Sequence, residues 1–340
     1  MKLLELHILQ SFPVSCLNRD DVGAPKSALF GGAPRARISS QSLKRAIRMA
    51  AKDIAPDGTF EGIRTRQLHQ LFLSALEEKG APEPEKSAQQ ICETLSKIDK
   101  KNEDQVTTAV FLSPGEIDQI ATAVAAGETA KKATKAANRN DAADIALFGR
   151  MIANDATLNV EGAAMFSHAL STHEVSNEND FFSAVDDQKK DAEDAGAGMI
   201  GTLEFNSALY YRYAAVNLDL LTDNLGNPSS EELENVLRIF IKSTLEAVPG
   251  ARQNSMNAHV RPSYVLGTLK EQGQPVQLIN AFEKPVWNPG QGFLADSIKS
   301  LQQEKENLTQ TWGLKTDAEA IIPEVGLDDF LSTLLSQVHA

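Results

Sequence analysis

The chain has 340 residues, 42% of them hydrophobic, and a formal net charge of −13. These values predict a globular protein of one or two domains with a sizeable core. The absence of any run of eighteen apolar residues excludes a transmembrane helix, and two cysteines far apart in sequence exclude a disulfide framework. We therefore expect a cytoplasmic protein with no place in a membrane.

The N-terminal half is predicted to start with a strand and to continue as a helical region. Residues 2–12 alternate between apolar and polar side chains, which is typical of a half-buried strand. Residues 13–37 are rich in Pro, Gly and Asn and are predicted to form a long loop. A helix capped by Ser39 or Ser40 follows. Further helices are predicted over residues 64–80, 84–98, 113–126 and 128–138.

The pattern changes at residue 144, and the C-terminal half mixes strands with helices. The strongest strand is TLEFNSALYYRYAAVNL, residues 202–218, which is rich in β-branched and aromatic residues. Residues 186–201 are polar and Gly-rich and are predicted to form a loop between flanking strands. Other strands are predicted over 144–153, 263–269 and 275–283, an extended segment over 172–185, and helices over 160–171, 229–247, 291–310 and 327–338. The whole predicts an α+β protein, compatible with a β-α-β-β-α-β core.

Positive charge is concentrated in one segment of this acidic chain. Residues 22–52 contain seven basic residues and no carboxylate, so this segment carries +7 and the remainder −20. Gly31 and Gly32 permit close approach of the backbone to a ligand. The helix N-terminus near Ser39 favours an anion, because its N–H groups are free and its dipole is positive there. Basic residues recur at every fourth position of the helix, opposite its apolar face: Lys44, Arg48 and Lys52.

Arg35 and Arg37 precede this helix in an extended stretch, so both side chains are predicted to face one side. Such a surface would meet several phosphates in a row, and its affinity would fall steeply with salt. A solvated helix face beside a Gly-rich turn is the alternative interpretation of the same residues.

The chain resembles the backbone subunit of the type I-E CRISPR Cascade complex, the CasC family of the Cas-seven group. The resemblance covers most of the chain up to about residue 260, and the C-terminal 80 residues carry little of it. The motifs that carry it are SCLNRDD (15–21), LFGG (29–32), RARISSQSLKRAIR (35–48), DIALFGRM (144–151), HALSTHEV (168–175), DFFSAVDD (180–187), GMIGTLEFNSALYYRYAAVNL (198–218) and EAVPGARQNSMNA (246–258).

The resemblance implies an RNA-recognition-motif-like (ferredoxin-like) palm, a helical fingers insertion and a β-hairpin thumb. In this chain the palm would start with residues 1–37 and resume over 144–340. The fingers would span 38–143, and the thumb hairpin about 183–206.

The resemblance also implies a function. Several copies would polymerise along a CRISPR RNA, each thumb would flip one base at regular intervals, and the other bases would pair with a target DNA strand. The guide would supply sequence specificity while the protein binds its backbone. Expected partners are CRISPR RNA, target DNA, other copies of the chain, and the RNA-end-capping, small and large subunits of Cascade.

The residues that the resemblance assigns to RNA binding are Arg19, Lys26, Ser39, Gln41, Lys44, Arg45 and Arg48, flanked by Arg35 and Arg37. Met151 falls where the family packs an apolar side chain against the flipped base. Phe182 and Val185 fall where it wedges the RNA. Without the resemblance, a methionine or phenylalanine in a strand is more often a core residue. The family has a lysine-rich helix that holds duplex DNA, and in this chain it corresponds to Lys131, Lys132, Lys135 and Arg139. The alternative interpretation is that these residues form a solvated helix face. The chain departs from the family at Asn138, Ala33 and Pro34, where basic residues are expected.

We expect no enzyme activity, no cofactor and no metal site. The six histidines lack the spacing of a His-Glu-x-x-His motif, and there is no Cys-x-x-Cys or Gly-x-x-x-x-Gly-Lys motif. One alternative is a metal-dependent endoribonuclease, because type III relatives cut target RNA with a loop aspartate and Asp20 or Asp21 stands nearest to it. The simpler interpretation is that Asp20 caps a turn or pairs with Arg19. A third hypothesis is an acidic interaction protein without a nucleic-acid role.

Overall fold

A computed structural model describes residues 1–56, 58–184, 199–288 and 290–338. The strands are β1 (Leu3–Ser15), β2 (Ser27–Phe30), β3 (Ala33–Ile38), β4 (Ile63–Thr65), β5 (Ile98–Asp99), β6 (Asn102–Val106), β7 (Val110–Leu112), β8 (Ala164–Phe166), β9 (Ala169–Ser171), β10 (Glu178–Ala184), β11 (Met199–Asn217), β12 (Tyr264–Lys270) and β13 (Ala318–Ile322). The helices are α1 (Ser40–Ile54), α2 (Leu68–Glu78), α3 (Pro84–Leu95), α4 (Pro114–Ala125), α5 (Ala130–Ala136), α6 (Ala143–Phe148), α7 (Leu218–Asn224), α8 (Ser230–Glu246), α9 (Gln253–Met256), α10 (Leu294–Trp312) and α11 (Leu327–Leu335). The predicted α+β class is confirmed.

An antiparallel sheet forms the centre of the molecule. Its strand order is β13-β12-β1-β11-β9-β3-β2, and β8 and β10 also pair with β11. The long strand β11 lies beside β1 with Leu3 opposite Asn217 and Phe12 opposite Ala208. In its N-terminal part the same strand pairs with β10 to form a hairpin. β11, the strand most clearly predicted from the sequence, therefore links the central sheet to this hairpin.

Both faces of the central sheet are covered. On one face, Leu6 and Ile8 of β1 pack with Phe240 of α8 and Phe330 of α11. On the other face, a second cluster contains Tyr211 of β11, Phe282, and Leu301 of α10. Burying aliphatic and aromatic side chains on both sides removes a large apolar area from water, which is the main source of stability for such a core.

β1 is more deeply buried than its alternating pattern predicted. Glu5 and His7, on the face expected to meet solvent, are 0% and 4% exposed. Glu5 forms an ion pair with Lys270 and accepts a hydrogen bond from the Tyr213 hydroxyl at 2.7 Å. The prediction of a half-buried strand is wrong because the second cluster covers this face of β1. The ion pair with Lys270 compensates the buried charge of Glu5, and Nδ1 of His7 is hydrogen-bonded to the Tyr211 hydroxyl at 2.9 Å.

A separate apolar cluster is built from the helices that follow α1. It joins α2, α3, α4 and α5 through residues such as Phe72, Ile91, Ile120 and Ala133. The short strand pairs β4–β7 and β5–β6 lie in the same part of the chain. The region predicted as a helical insertion thus has its own core and also contains strands.

Several predicted elements differ in the structure. Residues 13–37 are not a continuous loop, because β1 runs to Ser15 and β2 and β3 form a hairpin. Residues 144–153, predicted as a strand, contain most of α6, which is followed by the C-cap residue Gly149 with φ +73°. Residues 160–171, predicted as a helix, contain the two short strands that pair with β11. The predicted strand at 275–283 contains a 3-10 turn at Ile279–Phe282, and the predicted helix at 64–80 starts with a strand and becomes helical at Leu68.

No helix among the described residues is long and apolar enough to cross a membrane.

Candidate nucleic-acid interface

Helix α1 carries the predicted basic stripe. Its apolar face, formed by Leu43, Ile47 and Ala51, is buried against the core. Ser39 is the N-cap and its hydroxyl accepts a hydrogen bond from the Ser42 amide at 3.3 Å, which satisfies one of the free N–H groups of the first turn. The predicted start and orientation of this helix are confirmed.

The N-terminus of α1 is less open to an anion than expected. The Ser39 amide donates to Oδ1 of Asn18 at 2.8 Å, and the Ser40 amide donates to Nδ1 of His168 at 3.0 Å. With the Ser42 amide bound to Ser39, these three donors already have protein acceptors, so they are not free for a phosphate. Ser39 itself is only 6% exposed. Its role is therefore structural in this structure, contrary to the prediction that it faces the ligand.

A groove of about 660 Å³ opens beside the basic face of α1. Its lining contains five basic residues and no carboxylate among the described residues. The lining residues are Gln41, Lys44, Arg45, Arg48, Arg64, Thr108, Ala109, Phe111, Phe148, Gly149, Arg150 and Met151. The structure thus brings Gln41, Lys44, Arg45, Arg48 and Met151, five of the predicted RNA-binding residues, to one surface.

Aromatic rings support two of the groove's cations. The Lys44 ammonium lies 5.5 Å from the centre of the Phe166 ring, and the Arg48 guanidinium lies 5.2 Å from that of Phe111. Such contacts orient a cation over the negative face of a ring. Burial lowers the pKa of both Lys44 and Arg48. Their charges are therefore partly desolvated, and a phosphate entering the groove would be attracted more strongly than by fully hydrated side chains.

Arg48 is also held from behind. It donates to the Gly62 carbonyl at 3.4 Å and is attracted by Asp144, a carboxylate with 0% exposure whose pKa is raised by burial. A Cβ atom on Gly62 would lie 2.7 Å from both Asp144 oxygens and 2.4 Å from the Phe111 ring. Only glycine fits at position 62. Its lack of a side chain lets the backbone just before β4 approach closely enough to accept the hydrogen bond from Arg48.

Met151 stands at the edge of the groove on a rigid base. The preceding residue, Arg150, is buried and forms a bidentate ion pair with Glu116, with N–O distances of 2.5 and 2.9 Å. Gly149 lies close to Gly162, where a Cβ atom would be 2.7 Å from the Gly162 nitrogen. Met151 is nevertheless 68% exposed. An exposed apolar side chain on a fixed backbone is suited to contact a base, and the contact predicted for Met151 stays a prediction.

A second pocket of about 670 Å³ adjoins the groove at Arg45. Its lining includes Arg19, which is exposed, together with Asp20, Asp21 and the 249–251 segment. Oδ1 of Asp20 accepts hydrogen bonds from the Val22 and Ala24 amides at 3.0 and 2.9 Å. This carboxylate caps its own loop, which agrees with the simpler interpretation of Asp20 made from the sequence.

Arg35 and Arg37 do not form the exposed phosphate-binding pair that the sequence predicted. The Arg35 guanidinium is fully buried and donates to the carbonyls of Ser171 at 3.0 Å and Phe282 at 2.8 Å. It therefore has no exposed surface for a phosphate, because it joins β3 to the segment that precedes α10. Arg37 is half-buried, and its Nε donates to the Ser27 carbonyl at 3.1 Å. Lys26, also half-buried, bonds through its backbone to Asn18 and Arg37.

The β10–β11 hairpin contains the two residues predicted to wedge the RNA. Phe182 is half-buried and lies opposite Gly201, where a Cβ atom would be 2.4 Å from its ring. Its neighbour Phe181 is 69% exposed. Val185 and residues 186–198 of the predicted loop lie outside the described residues, so the prediction for Val185 is not tested. Residues 199–201, predicted as the end of this loop, instead form the start of β11.

The lysine-rich segment lies on α5. Lys131, Lys132 and Lys135 are exposed beside a shallow depression of about 470 Å³. Two of these lysines form ion pairs, Lys132 with Glu128 at 2.9 Å and Lys135 with Asp155 at 3.3 Å. The Arg139 guanidinium donates to the carbonyls of Thr157 and Lys135. Three of these four basic side chains therefore already form ion pairs or hydrogen bonds with neighbouring groups of the protein.

Among the residues that the structure describes, no group of three His, Cys, Asp or Glu side chains is arranged to hold a metal ion. The two cysteines are free and buried.

A sequence model of the CT1975-like protein family matches residues 4–330. The chain belongs to the CT1975-like protein family. No curated protein matches the chain. Two solved structures resemble this CT1975-like protein over nearly its whole length. A chain of a structure described as a CRISPR RNA-guided surveillance complex, pre-nicking, is 28% identical with a TM-score of 0.81, covering 96% of this chain and 95% of its own.

A chain of a second CRISPR RNA-guided surveillance complex is 23% identical with a TM-score of 0.65, and the match covers 99% of this chain and 98% of that one. At this identity the likeness shows a shared fold. The CT1975-like protein is thus built like subunits of such complexes.

Part of the groove was not predicted from the sequence. Arg64, Phe111, Phe148 and Arg150 line it together with α1. Arg64 was placed at the start of a helix, and Phe111 lies far from α1 in sequence. A signal for Arg150 was present, since Arg150 stands inside the recognised DIALFGRM motif beside Met151.

Proposed function

We propose that this CT1975-like protein is a non-catalytic, CRISPR RNA-binding backbone subunit of a Cascade-type surveillance complex. The observation that carries the proposal is the groove beside α1, where Lys44, Arg45 and Arg48 stand without a carboxylate in the described lining. A cationic groove with exposed apolar and polar rims is suited to the phosphate backbone of a single strand. The likeness to a subunit of an RNA-guided complex supports the same conclusion.

In this proposal the groove binds the RNA backbone without discriminating sequence. Met151 at its edge contacts a displaced base, and the β10–β11 hairpin crosses the strand. The remaining bases pair with target DNA. The central strands β12, β1, β11 and β9 stand in the order 4-1-3-2 of a β-α-β-β-α-β core, which supports an RNA-recognition-motif-like palm.

The proposal extends to the assembly. Several copies of the chain line one RNA in the cytoplasm, together with the capping, small and large subunits of a Cascade complex. The motif SCLNRDD and its companions favour the type I-E branch and its CasC subunit. The exposed lysines of α5 serve target DNA in this scheme, with Lys131 the least committed of them.

The alternative activity is metal-dependent RNA cleavage by Asp20 or Asp21. The structure favours a different role for Asp20, because its Oδ1 already accepts two backbone amides. This hydrogen bonding supports a role for Asp20 in holding its own loop. We propose that the chain binds RNA without cutting it.

The test is binding of labelled single-stranded RNAs of equal length and unrelated sequence to the full chain, with a gel that reports RNA integrity. We expect similar affinities for all sequences, a steep decrease with salt, and intact RNA with and without Mg²⁺. Cleaved RNA would replace this proposal by the nuclease. Salt-independent binding, or a strong preference for one sequence, would contradict backbone recognition.

A further inference from the structure

A basic side chain stands across the groove from α1. Arg64 lies at the middle of β4, is exposed, and lines the groove with Arg45 and Arg48. In the antiparallel β4–β7 pair it is the register partner of Phe111, whose ring carries the Arg48 guanidinium. The groove therefore has two walls from distant parts of the chain, one formed by α1 and one by the β4–β7 pair.

The arrangement concentrates like charges. Burial is the main cause that lowers the pKa of Arg48; the buried Asp144 carboxylate raises this pKa, and Arg64 and Arg45 lower it further. In the described part of the chain, neither Arg45, Arg48 nor Arg64 has an ion pair within 4 Å. Three guanidinium groups around one opening repel one another, and an anion between them would relieve this repulsion.

Arg66, a neighbouring arginine on the same segment, has a structural role and serves as a comparison for Arg64. Arg66, two residues after Arg64, forms an ion pair with Asp99 at 2.5 Å and donates through Nε to the Val106 carbonyl at 2.8 Å. Its charge is balanced by the protein. Arg64 has no such partner among the described residues, so its position in the groove is not explained by packing of the β4–β7 pair.

We propose that Arg64 binds a phosphodiester of the same single-stranded RNA that α1 binds, so that the β4–β7 pair forms the second wall of the RNA-binding groove. The inference rests on the proposed function and extends it from one helix to both walls. The planar guanidinium suits two oxygens of one phosphate. Phosphates held from both sides would fix the path of the strand past Met151.

The experiment compares Arg64→Ala with Arg66→Ala and Lys44→Ala in the full chain, using a labelled single-stranded RNA across a salt series. We expect Arg64→Ala to weaken binding about fivefold, the upper end for an ion pair in contact with solvent. The slope of log affinity against log salt should become shallower by about 0.7, the value for one phosphate of a single strand. Arg66→Ala should change neither quantity, and Arg64→Lys should retain the slope because it keeps the charge.

The outcomes separate this inference from the proposal it rests on. If Lys44→Ala makes the slope shallower while Arg64→Ala behaves like Arg66→Ala, the second wall is refuted and the RNA-binding function stands. If neither Lys44→Ala nor Arg64→Ala alters binding, both are refuted. A thermal melt of each variant serves as the folding control, and Arg64→Glu, which reverses the charge, should weaken binding more than Arg64→Ala.

Discussion

Arg150 and Glu116 form a bidentate ion pair that is almost wholly buried, with side-chain exposures of 1% and 2%. The pair fastens the segment after α6 to α4, and Arg150 adds hydrogen bonds to the carbonyls of Leu158 at 3.0 Å and Phe111 at 3.1 Å. One side chain thus holds three segments together behind the groove. Met151, the next residue, takes its exposed position from this junction.

Replacing Glu116 by alanine should destabilise the protein strongly, because Arg150 would be left as a buried charge without a counter-charge. We expect a loss of about 3–5 kcal/mol in the free energy of unfolding, measured in urea. Asp118 on the same helix is the matched control, since its ion pair with Lys79 is exposed to solvent. Asp118→Ala should cost less than about 1 kcal/mol. Equal losses for the two variants would contradict a structural role for the buried pair.

Met151→Ala tests whether the exposed methionine contacts RNA. Because the side chain is 68% exposed, the melting temperature should not change. RNA affinity should fall about fivefold, in the range for a sulfur contact with an aromatic ring. The salt slope should stay constant, since no cation is removed. Met49→Ala, also exposed but outside the groove, should bind as the unaltered chain does. Unchanged affinity of Met151→Ala would remove this residue from the interface.

The stability of the fold should depend on pH through His7. The pKa of His7 is lowered from its ordinary 6.5 to about 4, mainly by burial. The Glu5 carboxylate raises this pKa, whereas Lys270 and Lys305 lower it. The unfolded state therefore binds a proton on His7 more readily than the folded state does. The free energy of unfolding should be highest above about pH 6.5 and should decrease as the pH falls toward 4, by ~3 kcal/mol in total.

Unfolding measured at pH 7.5 and pH 5 tests this dependence. His7→Gln should weaken the pH effect, whereas His259→Gln, at an exposed site, should leave it intact. His173, whose pKa is also lowered by burial, should account for part of what persists in His7→Gln. An identical pH effect in His7→Gln and in the unaltered chain would contradict the assignment.

Asp20→Ala distinguishes a loop cap from a catalytic group. Loss of the two hydrogen bonds to Oδ1 should destabilise the protein by about 1 kcal/mol, as removal of a helix cap does. Asp21→Ala, at an exposed position, should leave stability unchanged. RNA incubated with Mg²⁺ or Mn²⁺ should stay intact with all three proteins. Cleavage by the unaltered chain that either substitution abolishes would establish the nuclease instead.

Elements with a strong and sustained local pattern could be predicted from the sequence. β11 has nineteen residues rich in β-branched and aromatic side chains, and α8 starts with a Ser229–Glu232 capping box. The predictions for shorter segments were wrong because pairing with distant strands determines their secondary structure. Residues 164–171 form strands only by pairing with β11 and β3. The apolar run at α6 has no periodicity that separates a buried helix from a buried strand.

The candidate site could be predicted on α1 and at Met151, but not on the β4–β7 wall. Lys44 and Arg48 stand at helical spacing, so their common face follows from local geometry. Arg64 and Phe111 reach the groove through the β4–β7 pairing, which no local pattern indicates. Arg35 was misplaced for a related reason, because its backbone partners lie 136 and 247 residues away.

The basic face of α1 is proposed to bind the RNA backbone, and the most direct test of this role is the salt dependence of RNA binding by Lys44→Ala. Lys299→Ala removes an exposed lysine of α10 that does not line the groove, and it is the matched control with the same loss of charge. We predict that Lys44→Ala weakens binding to every RNA sequence alike and makes the salt slope shallower by about 0.7, while Lys299→Ala does neither. Equal slopes for the two variants would show that the groove does not bind RNA.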